Sequence, residues 1–211
     1  MDHLDDRILS ALRAYGGDPR VAGAARALSW AGEHGALWLA TGLAGAAVDG
    51  ARRGAWLRGT ALTAGAHLVS MGVKRVVRRP RPAHVDPLVR TAGRHSFPSS
   101  HAASAAAAAV AFGMLRAHTE PQAPGVSGTP GAHGMVHTPG ALGTRRAGAI
   151  HSATRAALSA THTALPPLAA AMCLSRLIVG VHYPSDVAAG AAMGALTARA
   201  GARWMRGGAH D

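Results

Sequence analysis

The chain has 211 residues, the size of one ordinary domain; 48% are hydrophobic but only 4% aromatic, with alanine and glycine standing where leucine and phenylalanine are usual. A formal net charge of +12 rests on 22 basic residues, yet these are spread along the chain, aromatics for base stacking are few, and neither zinc-finger spacing nor an RNA-binding signature occurs, so nucleic acid is set aside as a partner. Cys173 is the single cysteine, which excludes an intramolecular disulfide and a thiolate metal cage.

In chain order, residues 4 to 15 and 20 to 31 alternate charged and apolar residues at helical spacing around the break GGDP. They predict two short amphipathic helices suited to a membrane surface. The N-terminus MDHLDDRILS has no basic region, apolar core or cleavage site of a signal peptide, so the chain's own helices are expected to take it to a membrane.

No charged residue occurs from His34 to Val48 or from Gly59 to Val73. Each run is slightly short of the roughly 20 residues that cross a bilayer, which puts Arg53, Trp56 and Arg58 at the interface. Residues 98 to 117, 156 to 175 and 184 to 203 supply three further spans. Small-residue spacings such as GLAGAA and AAGAAMGA let helices approach closely in lipid.

The expected fold is all-α: a helical membrane bundle with about five transmembrane helices. Residues 1–33 form the amphipathic segment, 34–203 the membrane-embedded domain and 204–211 a tail. Segment 118–152, rich in Gly, Pro, Ser and Thr, is expected to be a flexible loop. Its His118, His133, His137 and His151 lack ligand-like spacing and are taken as solvated.

Three clusters of polar residues interrupt these runs: KRVVRRPRP (74–82), FPSSH (97–101) and SRLIVGVHYPSD (175–186). With five spans, the loops after the second and fourth emerge on one side of the membrane, so the clusters can face one another. Pro184 suits the first turn of a helix, where its missing N–H costs nothing. Asp186 then lies in that turn, where the helix dipole favours a carboxylate, and can hold His182 in one tautomer and stabilise its cation. That makes His182 a plausible nucleophile.

Pro98 similarly opens a helix, so that Ser99, Ser100 and His101 present hydroxyls, amides and an imidazole where anions bind. Lys74 stands out because the composition offers arginine everywhere else; its ammonium suits one phosphate oxygen, and the planar fork of Arg81 suits two. Arg176, at the end of the fourth span, adds a third charge. Arg75, Arg78 and Arg79 are read as a solvated or headgroup-facing run. Two histidines in such a pocket suit phosphoester hydrolysis, one attacking phosphorus while the other protonates the leaving oxygen. No metal or other cofactor is needed, and too few carboxylates lie near the pocket to hold a metal.

These motifs resemble the type 2 phosphatidic acid phosphatase superfamily, which includes bacterial acid phosphatases and vanadium haloperoxidases. Its signature reads Lys, six residues, Arg-Pro; Pro-Ser-Gly-His; and Ser-Arg, five residues, His, three residues, Asp. Lys74, Arg81 and Pro82, then Pro98, Ser99 and His101, then Ser175, Arg176, His182 and Asp186 fit every spacing. Ser100 departs, standing where the family has glycine; it keeps the backbone N–H that contacts phosphate.

The resemblance implies an acid phosphatase/haloperoxidase-like helical core and a phosphohistidine formed on His182 with support from Asp186. His101 would protonate the alkoxide and then activate water. Lys74, Arg81, Ser99, the Ser100 amide and Arg176 would stabilise the phosphoryl oxygens. The substrate implied is a lipid phosphate. The short layout resembles actinobacterial members that dephosphorylate decaprenylphosphoryl phosphoribose on the path to cell-wall arabinose, with undecaprenyl diphosphate and phosphatidic acid as alternatives. A non-catalytic protein binding lipid phosphates is the rival of another class; pure binding would need neither an activated nucleophile nor an acid. Basic residues opposite the clusters (Arg52, Arg53, Arg58, Arg199, Arg203, Arg206) place the site on the outer face by the positive-inside rule.

Overall fold

The computed structural model describes residues 2–91, 93–116 and 141–207. Helix α1 (Asp2–Ala14) ends in a single 3-10 turn, and α2 (Pro19–Ala31) follows at the break read from the sequence. Asp18 caps α2, its Oδ1 accepting from Arg20 N at 2.7 Å and Val21 N at 3.2 Å, while Pro19 occupies the first helical position.

The five runs expected to be spans are all helical: α3 (Ala36–Val48), α4 (Arg53–Val77), α5 (Ser100–Arg116), α6 (Ala141–Ile178) and α7 (Pro184–Ala200), with a short α8 (Ala202–Arg206) after them. Among the described residues, Ala156–Ile178 has the length and apolarity of a full membrane crossing, and Ser100–Leu115 is apolar but shorter. No β-strand occurs among the described residues; a lone bridge joins Pro80 to His95.

Two boundaries differ from the expectation. Helix α6 begins at Ala141, inside the segment read as a loop; residues 118–140, with His118, His133 and His137, lie outside the described residues. Helix α5 begins at Ser100, not at Pro98. Pro98 instead precedes the cap, because the following Ser99 takes the capping role.

Alanine and glycine set the packing. Helix α5 runs through the centre, burying Ala102, Ala103, Ala105, Ala107, Ala108 and Ala111, and packs against α7 and α4. On α7 a Cβ at Gly190 would stand 2.3 Å from Ser99 O, and one at Gly194 would stand 2.0 Å from Ala103 O. Only hydrogen at those positions permits so close an approach, the small-residue packing the sequence suggested. Away from this seam, Trp38, Trp56, Phe112 and Met172 fill the core, with the rings of Trp56 and Phe112 5.1 Å apart. Trp56 donates its indole N–H to Asp49 at 3.0 Å, which satisfies the buried polar handle of a large ring.

Helices α1 and α2 pack on the protein. Helix α1 lies against α6 and α7, with Leu9 fully buried, and α2 lies against α6. Helix α4 ends at Arg78, which takes the left-handed conformation (φ 52°) often found just past a helix. The turn sends the chain back over the α6–α7 junction: Leu88 N donates to Val179 O at 2.9 Å, and Ser96 N donates to Arg79 O at 2.8 Å. The first polar cluster is thereby pinned to the approach to the second and to the loop of the third.

Candidate active site

The candidate residues sit at helix ends or in the connections between helices. Helix α6 stops at Ile178, and Gly180 (φ 74°) turns the chain with its N–H bonded to Leu177 O at 2.9 Å. Pro184 then opens α7 as expected. Between them His182 is 1% exposed, and Asp186, in the first turn of α7, is fully buried. Asp186 Oδ2 accepts the Tyr183 N–H at 2.9 Å, as a carboxylate at the third helical position does.

The same oxygen lies 3.6 Å from His182 Nδ1, within ion-pair range but beyond a hydrogen bond; Nδ1 has no hydrogen-bond partner among the described residues. Asp186 thus flanks the Nδ1 side of the ring. Burial depresses the His182 imidazole most strongly; the pull of Asp186 opposes that, and the charges of Arg176, Arg81 and Lys74 add to it, bringing the pKa to about 3. The ring is therefore neutral, with its lone pair available, at any physiological pH.

Lys74, Arg81, Ser100, His101, Arg176 and His182 line one cavity of about 120 Å³, so all three clusters converge. Arg81 donates Nε–H to Gly93 O and Nη1–H to Val181 O, both at 2.8 Å, and its remaining guanidinium hydrogens are left for a ligand. Arg176 is 3% exposed; its Nη1 bonds Ser29 Oγ, and its buried Nε has no hydrogen-bond partner among the described residues. It points into the pocket, not toward lipid headgroups. Three cations around so small a space make an anion site, since an unpaired buried charge is costly without a counter-ion.

Two sequence expectations need correction. Ser99 does not line the cavity. It is fully buried, its N–H donates to Asp186 O at 2.9 Å, and its Oγ accepts from Ala102 N at 3.4 Å, so its hydroxyl caps α5. Arg79 is not part of a solvated run: it donates to Asp186 Oδ1 and to Asp5 Oδ2, each at 3.0 Å, and lies 4.1 Å over the Tyr183 ring. Arg75 and Arg78 are exposed, as expected.

The sequence reading missed Ser29, Glu33, His34, His67, Arg90 and Thr91, which also line the cavity. His67 had a signal, since it precedes Lys74 by seven residues and so shares its face of α4. Ser29 had none. Its carbonyl accepts from His101 Nε2 at 3.0 Å, while its hydroxyl meets Arg176. Among the described residues no group of three or more His, Cys, Asp or Glu has the arrangement of a metal site.

The chain is similar to curated decaprenylphosphoryl-5-phosphoribose phosphatases. That of Mycolicibacterium smegmatis is 39% identical over 189 residues, covering 88% of this chain and 81% of the relative. That of Mycobacterium tuberculosis is 36% identical over 179 residues, covering 84% and 76%. A solved PAP2-type phosphatidylglycerolphosphate phosphatase from Bacillus subtilis, described as transmembrane, aligns over 98% of this chain and 96% of its own, with 18% identity and a TM-score of 0.49. The sequence model of the PAP2 superfamily matches residues 55–208, a stretch that holds every motif residue of the cavity and its buried dyad, and the chain belongs to that superfamily.

Proposed function

We propose that the protein is a multi-pass membrane phosphatase that hydrolyses a polyprenyl-linked phosphomonoester, of the decaprenylphosphoryl-5-phosphoribose kind, without a metal. The observation that carries this reading is the convergence of Lys74, Arg81 and Arg176 on one cavity with a buried, neutral His182 beside Asp186.

In the first step His182 Nε2 attacks phosphorus. The N–P bond forms as the P–O bond to the leaving alkoxide breaks, and His101, entering the step as the imidazolium with Nε2–H on the Ser29 carbonyl, gives that oxygen its Nδ1 proton. Asp186 offsets the positive charge that His182 acquires. In the second step His101 takes a proton from water, whose oxygen attacks phosphorus; the N–P bond breaks and inorganic phosphate leaves. Lys74, Arg81, Arg176 and the Ser100 amide stabilise charge on the three peripheral oxygens, where most of the acceleration in such reactions originates. Ser99 contributes indirectly, by capping α5 and anchoring it to Asp186 O.

The names of the relatives support the phosphoribose substrate, and so does Glu33. A carboxylate in a cation-lined cavity accepts hydrogen bonds from hydroxyls, which a pentose has and the acyl esters of phosphatidic acid lack. The membrane placement rests on the Ala156–Ile178 helix and on large apolar side chains exposed along the bundle, among them Leu43, Leu57, Leu68, Leu174 and Leu196. Arg52, Arg53 and Arg58 lie at or just before the start of α4, remote from Lys74 near its end, which under the positive-inside rule supports a site on the outer face. An impermeant thiol reagent applied to intact cells carrying Ala132→Cys and Cys173→Ser tests this; ready labelling would reverse the orientation.

The decisive experiment measures phosphate release by the detergent-purified protein beside His182→Ala. The substrates are polyprenyl phosphoribose phosphate, undecaprenyl diphosphate and phosphatidic acid, with EDTA present. Release that depends on His182 and is fastest with the phosphoribose lipid is expected. Release that EDTA abolishes, or that His182→Ala retains, would overturn the mechanism; no release from any lipid would favour a protein that binds lipid phosphates.

A further inference from the structure

Asp5 lies on α1, outside the stretch matched by the superfamily, and touches no part of the cavity. It is nevertheless 8% exposed, and its bonds run toward the catalytic dyad. Its Oδ1 accepts the Ser185 N–H at 3.0 Å, and its Oδ2 accepts from Arg79 Nη2 at 3.0 Å and from the Ser185 hydroxyl. Arg79 Nη1 in turn donates to Asp186 Oδ1 at 3.0 Å and to Ser185 Oγ at 2.7 Å.

We propose that Asp5 is a positioning residue for the nucleophile: through Arg79 and Ser185 it holds Asp186 in place against His182, so that the N-terminal helix is part of the phosphoryl-transfer machinery. The proposal rests on the phosphatase reading above.

The two oxygens of Asp186 have separate tasks. Oδ2 faces His182, and Oδ1 is held by Arg79. With a single carboxylate beside it, the full charge of Arg79 would bear on Asp186 and draw it from His182. Asp5 supplies the second carboxylate, balances that charge and fixes the guanidinium fork between the two. Its bonds to Ser185 also anchor the first turn of α7, on which Asp186 is carried. Docking α1 does not require a carboxylate, since Leu9 is fully buried, and a buried carboxylate costs stability unless it is paired. The pairing partner is the one arginine that also grips Asp186. Burial would raise the Asp5 carboxyl, but the bonds from Ser185 and Arg79 outweigh it and hold it below its ordinary range, ionised alongside Arg79.

The test compares Asp5→Asn, Asp5→Glu and the control Asp6→Asn in the full chain, each in wild-type and Asp186→Asn backgrounds. Melting in detergent is followed in parallel. Asp5→Asn should lower kcat on the order of tenfold, the scale of a displaced catalytic group, with KM unchanged. Asp5→Glu should recover part of the loss. Asp6→Asn, the same charge change at a side chain 42% exposed and 3.5 Å from His84, should alter neither constant.

In the Asp186→Asn background Asp5→Asn should have no further effect, because the group it acts through is gone. A loss that multiplies with that of Asp186→Asn, as a general structural defect would, overturns the proposal, and so does an unchanged kcat. If Asp5→Asn does not fold, Asp5→Glu, which keeps the charge but displaces it from Arg79, carries the same comparison, with a lowered kcat in the wild-type background and no further loss in Asp186→Asn. Wild-type protein that releases no phosphate brings down the phosphatase reading and this proposal together; normal wild-type turnover with an unaffected Asp5→Asn removes this proposal alone.

Discussion

His101 donates its Nε2 proton to the Ser29 carbonyl at 3.0 Å, because a carbonyl can only accept. That bond to a backbone group of α2 fixes the ring and occupies Nε2, so Nδ1 is the nitrogen that exchanges a proton with the leaving oxygen. His101→Ala should slow release from an alkyl phosphate on the order of a thousandfold, within the usual range for general acid catalysis, but slow p-nitrophenyl phosphate far less, since nitrophenolate departs without a proton. Equal losses with both substrates would show that His101 is not the acid.

Asp186 is fully buried with both oxygens engaged. Asp186→Asn leaves a group of similar size but removes the charge that offsets the His182 cation. The expected fall in kcat is on the order of a thousandfold, comparable to triad carboxylate losses. Steady-state kinetics with the preferred lipid checks it, and a change below about tenfold would remove Asp186 from the mechanism.

The pH response of His182 follows from its depressed pKa of about 3. A group whose folded pKa lies below its ordinary value keeps its neutral form until the pH falls through the lower value. The ring resonances of His182, identified by their loss in His182→Ala, should therefore not titrate between about pH 5 and 8, where an ordinary histidine changes charge. A midpoint near 6.5 would mean that the nucleophile is not desolvated.

Glu33 lines the cavity together with Lys74, Arg81 and Arg176. If it accepts from sugar hydroxyls, Glu33→Gln should raise KM for polyprenyl phosphoribose phosphate on the order of tenfold, about 1.5 kcal/mol for a lost hydrogen bond to a charged group, and leave phosphatidic acid unaffected. Parallel kinetics with the two lipids decides, and an equal change in both would assign Glu33 to the pocket's electrostatics alone.

The α5–α7 seam tolerates no added atom, since a Cβ at Gly194 would stand 2.0 Å from Ala103 O. Backbone cannot swing aside as a flexible side chain can, so Gly194→Ala must push the helices apart. A loss of about 1–3 kcal/mol in stability is expected, read as a lower melting temperature in detergent. Activity should fall as well, because Ser99 N, at the cap of α5, and Asp186 O on α7 are bonded across the same seam.

Much of the helical pattern was legible because it is local. Charge-free runs, the GGDP break and Pro184 each act within a few residues, and a helix covers most of each predicted run. The start of α5 was misplaced because a cap depends on a side-chain bond: the Ser99 hydroxyl accepts from Ala102 N, which leaves Pro98 outside the helix. Helix α6 starts earlier than expected because the Gly, Pro, Ser and Thr content of 118–152 was read as a loop throughout. Lys74, His101, Arg176, His182 and Asp186 were legible as candidates because ionisable groups at the ends of apolar runs are costly and therefore informative. Arg79 was not, since in a chain this rich in arginine nothing in KRVVRRPRP marks the residue that turns inward after the left-handed turn at Arg78.

By itself, then, the sequence determined the helices and the chemical identity of the site, through periodicity and rare residue types that operate over a turn or two. Only the tertiary structure decided what holds that site. Ser29 meets Arg176 across 147 residues and Asp5 meets Ser185 across 180, and such contacts arise from how whole helices pack, which no spacing along the chain encodes.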